Sequence, residues 1–197
     1  MVKIKKQKIW LKIIAPKFLG GKDLGEIPAN EPENCIGRRI ILSAIDVLED
    51  FNKYYLKFAF KVGKVEGGNA YLYFDGLECT RDYISRMVRR RVDRIDHVFD
   101  KTTKDGIKLR IKTIVVTRRI PRKIRTKIRK VIHELVSKNM ENLTMEEFLL
   151  KVISGDLKKI LEENIKKIYP PRFIEFRKIE IRTPLLEILR RESEKTQ

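Results

Sequence analysis

Cysteine, histidine and long apolar runs are scarce in this chain of 197 residues. Its two cysteines, Cys35 and Cys79, are too few for a disulfide framework and lack the paired spacing of a zinc site, so we expect reduced thiols in a cytoplasmic protein. The charged start, MVKIKKQKIW, has no apolar segment typical of a leader, and no stretch of about 18 apolar residues occurs. The sequence therefore predicts neither secretion nor membrane insertion.

Motifs for catalysis are missing as well. The only histidines, His97 and His133, belong to no metalloprotease, zinc-finger or catalytic-triad pattern, and there is no nucleotide-binding loop or Gly-x-Ser-x-Gly turn. Asp96, His97 and Asp100 offer ligands for a divalent ion, but in a strand both aspartates point to the face opposite the histidine. We therefore expect no metal, no cofactor and no enzyme activity. A metal-dependent RNA-processing enzyme acting through Asp96 or His97 remains an alternative.

Acidic residues are absent from Gly106 to His133, where basic residues are dense. Over the whole chain 45 Lys and Arg stand against 27 Asp and Glu, which gives a formal charge of +18 and a pI near 9.9. Because like charges repel, a folded chain tolerates this density best against a polyanion, and the nucleic-acid backbone is the commonest one. The composition predicts a nucleic-acid-binding protein, and a merely solvated basic surface is the plain alternative.

Short strand-like runs predict a β-rich first half, and in one of them, residues 54–62, apolar and other residues alternate with period 2. The runs cover Ile9–Ile14 and residues 38–48, 54–62 and 70–74, whereas the Gly- and Pro-punctuated residues 20–32 predict a long loop. Tyr and Phe side chains in these strands offer a platform for stacking on bases. Without an RNP-like sequence, however, packing in the core is the favoured interpretation.

Three predicted elements carry the basic residues. The first is a helix that begins at Thr80 and continues its apolar stripe to Val92. The second is a hairpin of residues 94–102 and 107–116, and the third is an amphipathic helix that begins at Pro121. These elements present the candidate RNA contacts, which are Arg86, Arg89, Arg90, Lys108, Arg110, Lys112, Arg118, Arg119, Arg122, Lys123, Arg125 and Arg129.

The last part of the chain predicts helices followed by a returning strand. Thr144 and Glu147 have the spacing of a capping box, which marks the start of one helix. Asp156 is predicted to cap another, whose apolar stripe includes Ile160. Residues 173–181 are predicted to form a strand that returns to the sheet.

Together these patterns predict an α+β protein, in which an antiparallel curled sheet or barrel-like β half packs with a helical half and a returning C-terminal strand. We expect a basic N-terminal tail over residues 1–8, a mainly β half with one inserted helix over 9–117, a helical half with the returning strand over 118–182, and a C-terminal segment over 183–197. The tail either enters a nucleic-acid groove or is a frayed terminus.

Motifs spread from Trp10 to Ile181 resemble, in their order and spacing, those of the archaeal and eukaryotic small-subunit ribosomal proteins of the S-three-a type. They are Trp10 with Ala15-Pro16, Gly37-Arg38, the GLECTRD segment of residues 76–82, the KTTKDG turn of residues 101–106, Ile128-Arg129-Lys130 and Ile168-Tyr169-Pro170.

The resemblance implies a structural constituent of the small ribosomal subunit that binds ribosomal RNA through its basic surface. It places the protein on the platform, near the messenger exit and the 3′ end of the RNA. Neighbouring small-subunit proteins, and messenger RNA near the exit, are then further partners, and no membrane is. The short ends of the chain resemble the archaeal form. From the residues alone, a free-standing regulatory protein that binds RNA or DNA remains the alternative.

Overall fold

The computed structural model describes residues 8–184 and 186–187, and over them the fold is α+β, as predicted. Eight strands and five α-helices are present in this part of the chain. The sheet is mixed rather than antiparallel throughout, and it does not close into a barrel. The chain divides into two compact units, one of residues up to Leu77 with those from Pro184 on, the other of Glu78–Thr183.

The first unit is built mainly from strands. Its elements are β1 (Ile9–Ile14), β2 (Asp23–Ala29), β3 (Arg39–Ser43), α1 (Ala44–Leu48), β4 (Leu56–Glu66) and β5 (Asn69–Cys79), of which β5 continues into the second unit. Strand β1 is antiparallel to β2 and parallel to β5, and β3 is antiparallel to β4.

Two predictions for this unit were wrong. The expected loop of residues 20–32 contains β2, which pairs with β1 at the end of the strand order and places Pro28 opposite Trp10. An edge strand tolerates proline because one of its edges needs no ladder hydrogen bond. The expected strand of residues 38–48 ends at Ser43, whose hydroxyl accepts a hydrogen bond from the Ile45 backbone N–H at 3.4 Å and so caps α1.

Three phenylalanines of the first unit, Phe58, Phe60 and Phe74, pack together in its core. Phe58 and Phe60 are fully buried and stack with ring centroids 5.8 Å apart, and Phe74 meets both edge-on at 6.4 Å. Core packing is therefore confirmed for these rings. Gly63 lies under the ring of Tyr73, which any Cβ at this position would strike.

The second unit carries all twelve candidate contacts. Its elements after the end of β5 are α2 (Arg81–Met87), β6 (Val92–Thr102), β7 (Lys108–Arg118), α3 (Arg122–Asn142), α4 (Met145–Ser154), α5 (Asp156–Lys166) and β8 (Phe173–Ile181). The predicted bounds of β8 and the start of α4 are confirmed, the latter with both hydrogen bonds of the capping box.

Helix α2 is shorter than predicted. It ends at Met87, and the chain turns through Arg91, which has a left-handed φ of 63°, before β6 begins at Val92. Val92 therefore belongs to a strand and not to the helical stripe. The hairpin turn is where the sequence placed it, with the Gly106 N–H donating to the Thr103 carbonyl at 2.9 Å.

One face of the hairpin is covered by α3. The ring of Phe99 in β6 lies 4.9 Å from that of His133 in α3, and Ile128, Ile132 and Val136 are fully buried along the helix. Spacing of four residues puts these three side chains on one helical stripe.

Helix α5 departs from its prediction at two positions. Gly155, with a φ of 87°, occupies the N-cap position, and Asp156 is the first helical residue. Ile160 is 39% exposed rather than turned inward, whereas Leu157 and Leu161 are buried. The basic tail, apart from Lys8, and the C-terminal segment, apart from residues 183, 184, 186 and 187, lie outside the described residues.

Candidate nucleic-acid interface

Alternation over residues 108–112 of β7 separates basic residues from core residues, whereas Ile114 and Val116 are buried on the same face as the basic residues. Leu109, Ile111 and Val115 are fully buried on the face that α3 covers. The residues between them point the other way, so Lys108 and Arg110 share the opposite face with Lys112 and Arg118. The row of cations predicted for this strand is therefore present.

Two cations of this row are held by carboxylates from neighbouring strands. Arg110 makes a bidentate pair with Asp100, at 2.6 Å from Nε to Oδ1 and 2.8 Å from Nη2 to Oδ2. The hydrogen bond from Arg110 lowers the pKa of Asp100 below its ordinary value. The Nζ of Lys112 lies 3.2 Å from Oε2 of Glu180 in β8. Both cations already have partners inside the fold.

Two arginines of α3 fasten the helix to β6. Arg125 Nη2 lies 3.0 Å from Oδ2 of Asp93, and the same oxygen accepts a hydrogen bond from the Ile120 N–H at 2.9 Å. Arg129 Nε donates to the backbone carbonyl of Asp96 at 3.1 Å. We call Arg110, Lys112 and Arg125 the paired cations, because each has a carboxylate partner.

A second group lies at the junction of β7 and α3. Its four residues are all exposed and have no ion pair among the described residues, and we call them the open cluster. They are Arg118, Arg119, Arg122 and Lys123.

Two residues of the open cluster, Arg122 and Lys123, lie at the N-terminus of α3, where a helix favours negative charge. The first turn of α3 holds no acidic residue. Because the N-terminus of a helix carries a partial positive charge, Arg122 and Lys123 are electrostatically unfavourable there. An anion bound beside them would remove this cost and also meet the first backbone N–H groups of the helix.

Three further candidates lie at the end of α2. Arg86 occupies its last turn, and Arg89 and Arg90 follow in the turn to β6. All three are exposed, and Arg89 Nε donates to the Arg86 carbonyl at 3.3 Å. Within the described chain Arg86 and Arg90 have no ion pair, so they resemble the open cluster in availability.

The structure also brings together basic residues that the sequence did not single out. A cleft of about 390 Å³ lies between α2 and the strands of this unit, and we call it the α2 cleft. Its basic lining residues are Arg81, Arg94, Lys112, Arg177 and Lys178. Of these only Lys112 was among the candidates, since the others come from separate stretches that only the fold makes neighbours.

The suspected metal ligands do not converge. His97 faces α3, stacking on Phe99 at 5.0 Å, whereas Asp96 and Asp100 pair with Arg94 and Arg110 on the other face. Burial, then the neighbouring His133, lowers the pKa of His97. No group of three His, Cys, Asp or Glu residues suited to a metal ion occurs in the part of the chain that the structure describes.

The cysteines are buried and are not disulfide-bonded. Cys79 Sγ donates to the Phe176 carbonyl at 3.1 Å, and burial, then the nearby Glu175, raises its pKa far above the ordinary value of a thiol. A thiol held protonated in this way is a weak nucleophile. Among the described residues, no helix is both long and apolar enough to span a bilayer.

An α+β fold with an uncompensated basic surface is typical of proteins that bind polyanions. Comparison with known sequences narrows this class, because the model of the Ribosomal S3Ae family matches residues 3–184. The chain belongs to the Ribosomal S3Ae family.

Three relatives illustrate the similarity, and each carries the name small ribosomal subunit protein eS1. The protein of Archaeoglobus fulgidus is 37% identical over 177 residues, which cover 88% of this chain and 84% of the relative. That of Methanopyrus kandleri is 38% identical over 181 residues, covering 89% and 86%. That of Saccharolobus islandicus is 38% identical over 177 residues, covering 89% and 85%.

Proposed function

We propose that this protein is a structural constituent of the small ribosomal subunit and binds its ribosomal RNA through the second unit. Family membership and relatives named as small-subunit proteins support the ribosomal role. The open cluster is the observation that supports RNA binding. Its cations are exposed and have no carboxylate partner among the described residues, and two of them lie at the N-terminus of a helix, where positive charge is unfavourable.

The proposed mechanism is RNA binding alone, with no catalysed reaction. Lysine and arginine neutralise phosphates and release counterions, and arginines held in place by the fold recognise the shape of folded RNA rather than a linear sequence. We expect the strongest contacts at the open cluster and at Arg86 and Arg90, with Lys108 a further contact at the other end of β7. The paired cations, and the backbone-bonded Arg89 and Arg129, contribute where RNA replaces or shares their internal partners.

The finer placement follows the resemblance of the sequence motifs. From this resemblance we infer that the protein lies in the cytoplasm, on the platform of the small subunit, near the messenger exit and the 3′ end of the RNA. Neighbouring small-subunit proteins are its protein partners, and messenger RNA near the exit is a further contact.

Sedimentation of a lysate tests the ribosomal role. We expect the tagged full-length chain in the small-subunit fraction of a gradient at moderate salt, and crosslinked to ribosomal RNA there. A free-standing regulator would remain near the top of the gradient, and that result would refute the proposal. Metal-dependent RNA cleavage abolished by Asp96→Ala or His97→Ala would instead favour a processing enzyme.

A further inference from the structure

The α2 cleft is a second concentration of positive charge in this unit. Four elements supply its cations, namely α2 with Arg81, β6 with Arg94, β7 with Lys112, and β8 with both Arg177 and Lys178. Glu78 is the acidic member of the lining. Like charges gathered from four elements repel, so the cleft is most stable with an anion inside it.

A β-bulge shapes this lining. Lys112 pairs with Lys178 and Thr113 with Phe176, which leaves Arg177 as the extra residue of β8. In a regular strand consecutive side chains point to opposite faces, but a bulge redirects one of them. As a result Arg177 and Lys178, which are adjacent in sequence, both line the cleft.

Only part of this charge is neutralised inside the fold. Lys178 Nζ lies 2.9 Å from carboxylate oxygens of both Glu78 and Glu180, and Lys112 Nζ lies 3.2 Å from Glu180 Oε2. Arg94 Nε lies 2.9 Å from Asp96 Oδ2. Arg81 and Arg177 have no ion pair within the described residues.

We propose that the α2 cleft binds a phosphodiester of ribosomal RNA with its nucleoside, at a site separate from the open cluster. This inference rests on the proposed function. Arginine presents a planar fork that matches phosphate oxygens in two places, and three of the five cations are arginines. Ile84 supplies an apolar surface for a base or ribose, and the volume lies in the range of pockets for small molecules.

The cleft and α3 lie on different faces of the β6–β7 hairpin. Arg94 and Lys112 point to one face of the β6–β7 hairpin, whereas His97 and Phe99 point to the other and contact α3. The α2 cleft and the helix that carries Arg122 and Lys123 therefore lie on opposite faces. RNA bound at both places would hold the hairpin from two sides.

Binding of the full-length chain to ribosomal RNA purified from small subunits tests the cleft. We expect the double variant Arg81→Ala, Arg177→Ala to weaken binding and make the slope of log affinity against log salt less steep by about 1, because one phosphate contact is lost. The control is Lys151→Ala, Lys167→Ala, which removes two exposed charges elsewhere in the unit and should leave the slope unchanged.

Tethered hydroxyl-radical probing locates the contact. Cys35 and Cys79 are each only 2% exposed, so a reagent reacts at an introduced cysteine. Ser85→Cys reports from the cleft, and Thr126→Cys reports from the exposed surface of α3. We expect cuts in the RNA from both positions, in different segments.

The outcomes separate the two claims. An unchanged slope for the cleft variant, with RNA cuts from Thr126→Cys but none from Ser85→Cys, overturns the cleft site and leaves the proposed function standing. Crosslinking of Ser85→Cys to an acidic protein segment in assembled subunits, instead of to RNA, also overturns it. If neither position cuts RNA and an open-cluster variant binds like the wild type, the proposed function fails as well.

Discussion

The paired cations and the open cluster are alike in the sequence and differ in the fold. Each paired cation lies within 3.2 Å of a carboxylate oxygen from another element. The open cluster has no such partner among the described residues, although it begins at the last residue of β7. A basic stretch thus contains residues that consolidate the structure and residues that the structure leaves available.

The difference shows that the density of positive charge is a poor guide to function by itself. Asp93, Asp100 and Glu180 neutralise the cations that they touch, and they come from β6 and β8 rather than from the basic stretch. The first turn of α3 holds two basic residues, Arg122 and Lys123, and no acidic residue of its own. A local rule of helix stability that is broken without compensation is a stronger sign of a binding site.

The largest effect is expected from the open cluster. The variant Arg119→Ala, Arg122→Ala, Lys123→Ala should bind small-subunit RNA more weakly, with a salt slope less steep by about 3, because three phosphate contacts are lost. Filter binding over a range of salt concentrations measures this slope. The free energy of unfolding should not fall, since unfavourable charges leave the helix start.

The control for this variant removes as many charges from α4, α5 and the residue after it. Lys151→Ala, Lys159→Ala, Lys167→Ala should bind RNA with the wild-type slope. Equal losses in the two triple variants would mean that overall charge, and not the open cluster, governs binding.

Removal of Asp93, the carboxylate partner of Arg125, should instead lower the stability of the fold. In Asp93→Ala the buried Ile120 N–H loses its acceptor and Arg125 loses its carboxylate. We expect the free energy of unfolding to fall by about 1–3 kcal/mol, measured with urea. Glu163→Ala, at an exposed site with no ion pair to another described residue, should change stability by less than about 0.5 kcal/mol. A stable Asp93→Ala protein would contradict the anchoring role of this pair.

Removal of a carboxylate partner should make paired cations available to RNA. Glu180 pairs with both Lys112 and Lys178. In Glu180→Gln both ammonium groups lose this carboxylate, so we expect tighter RNA binding and a salt slope steeper by about 1. Titration with small-subunit RNA checks it, and weaker binding by a fully folded variant would show that these lysines do not face RNA.

The smallest effect concerns acid stability. The hydrogen bond from Arg110 lowers the pKa of Asp100, so this carboxylate stabilises the fold above its ordinary pKa of about 3.9 and stops doing so as the pH falls through the lowered value. Asp100→Asn should therefore lose less stability than the wild type between pH 5 and pH 2. High salt should shrink the difference, because the pair is partly exposed. Parallel acid-unfolding curves for the two proteins would contradict this account.

Local signals in the sequence predicted much of the fold. Residues close in the chain marked the strand Phe173–Ile181, the capping box of Thr144 and Glu147, and the Asp-Gly turn of the hairpin. The errors came where local signals conflict. The glycines and Pro28 predicted a loop where β2 forms an edge strand. The apolar spacing up to Val92 predicted a longer helix, whereas α2 ends at Met87.

The candidate site was predictable as a region only. Exposure of the cations in α3 follows from helical spacing, which the sequence contains. The partners of Arg110 and Arg125 do not follow from helical spacing. Strand register brings Asp100 to Arg110, and helix docking brings Asp93 to Arg125. The α2 cleft depends on the bulge at Arg177, which appears only when β8 is paired with β7.

The most direct test is a structure of the small subunit that contains this chain. The account predicts that the side-chain nitrogens of Arg119, Arg122 and Lys123 lie within about 4 Å of RNA phosphate oxygens, the distance of an ion pair. If these nitrogens were found in open solvent, or against protein carboxylates with no RNA nearby, the central claim would be contradicted.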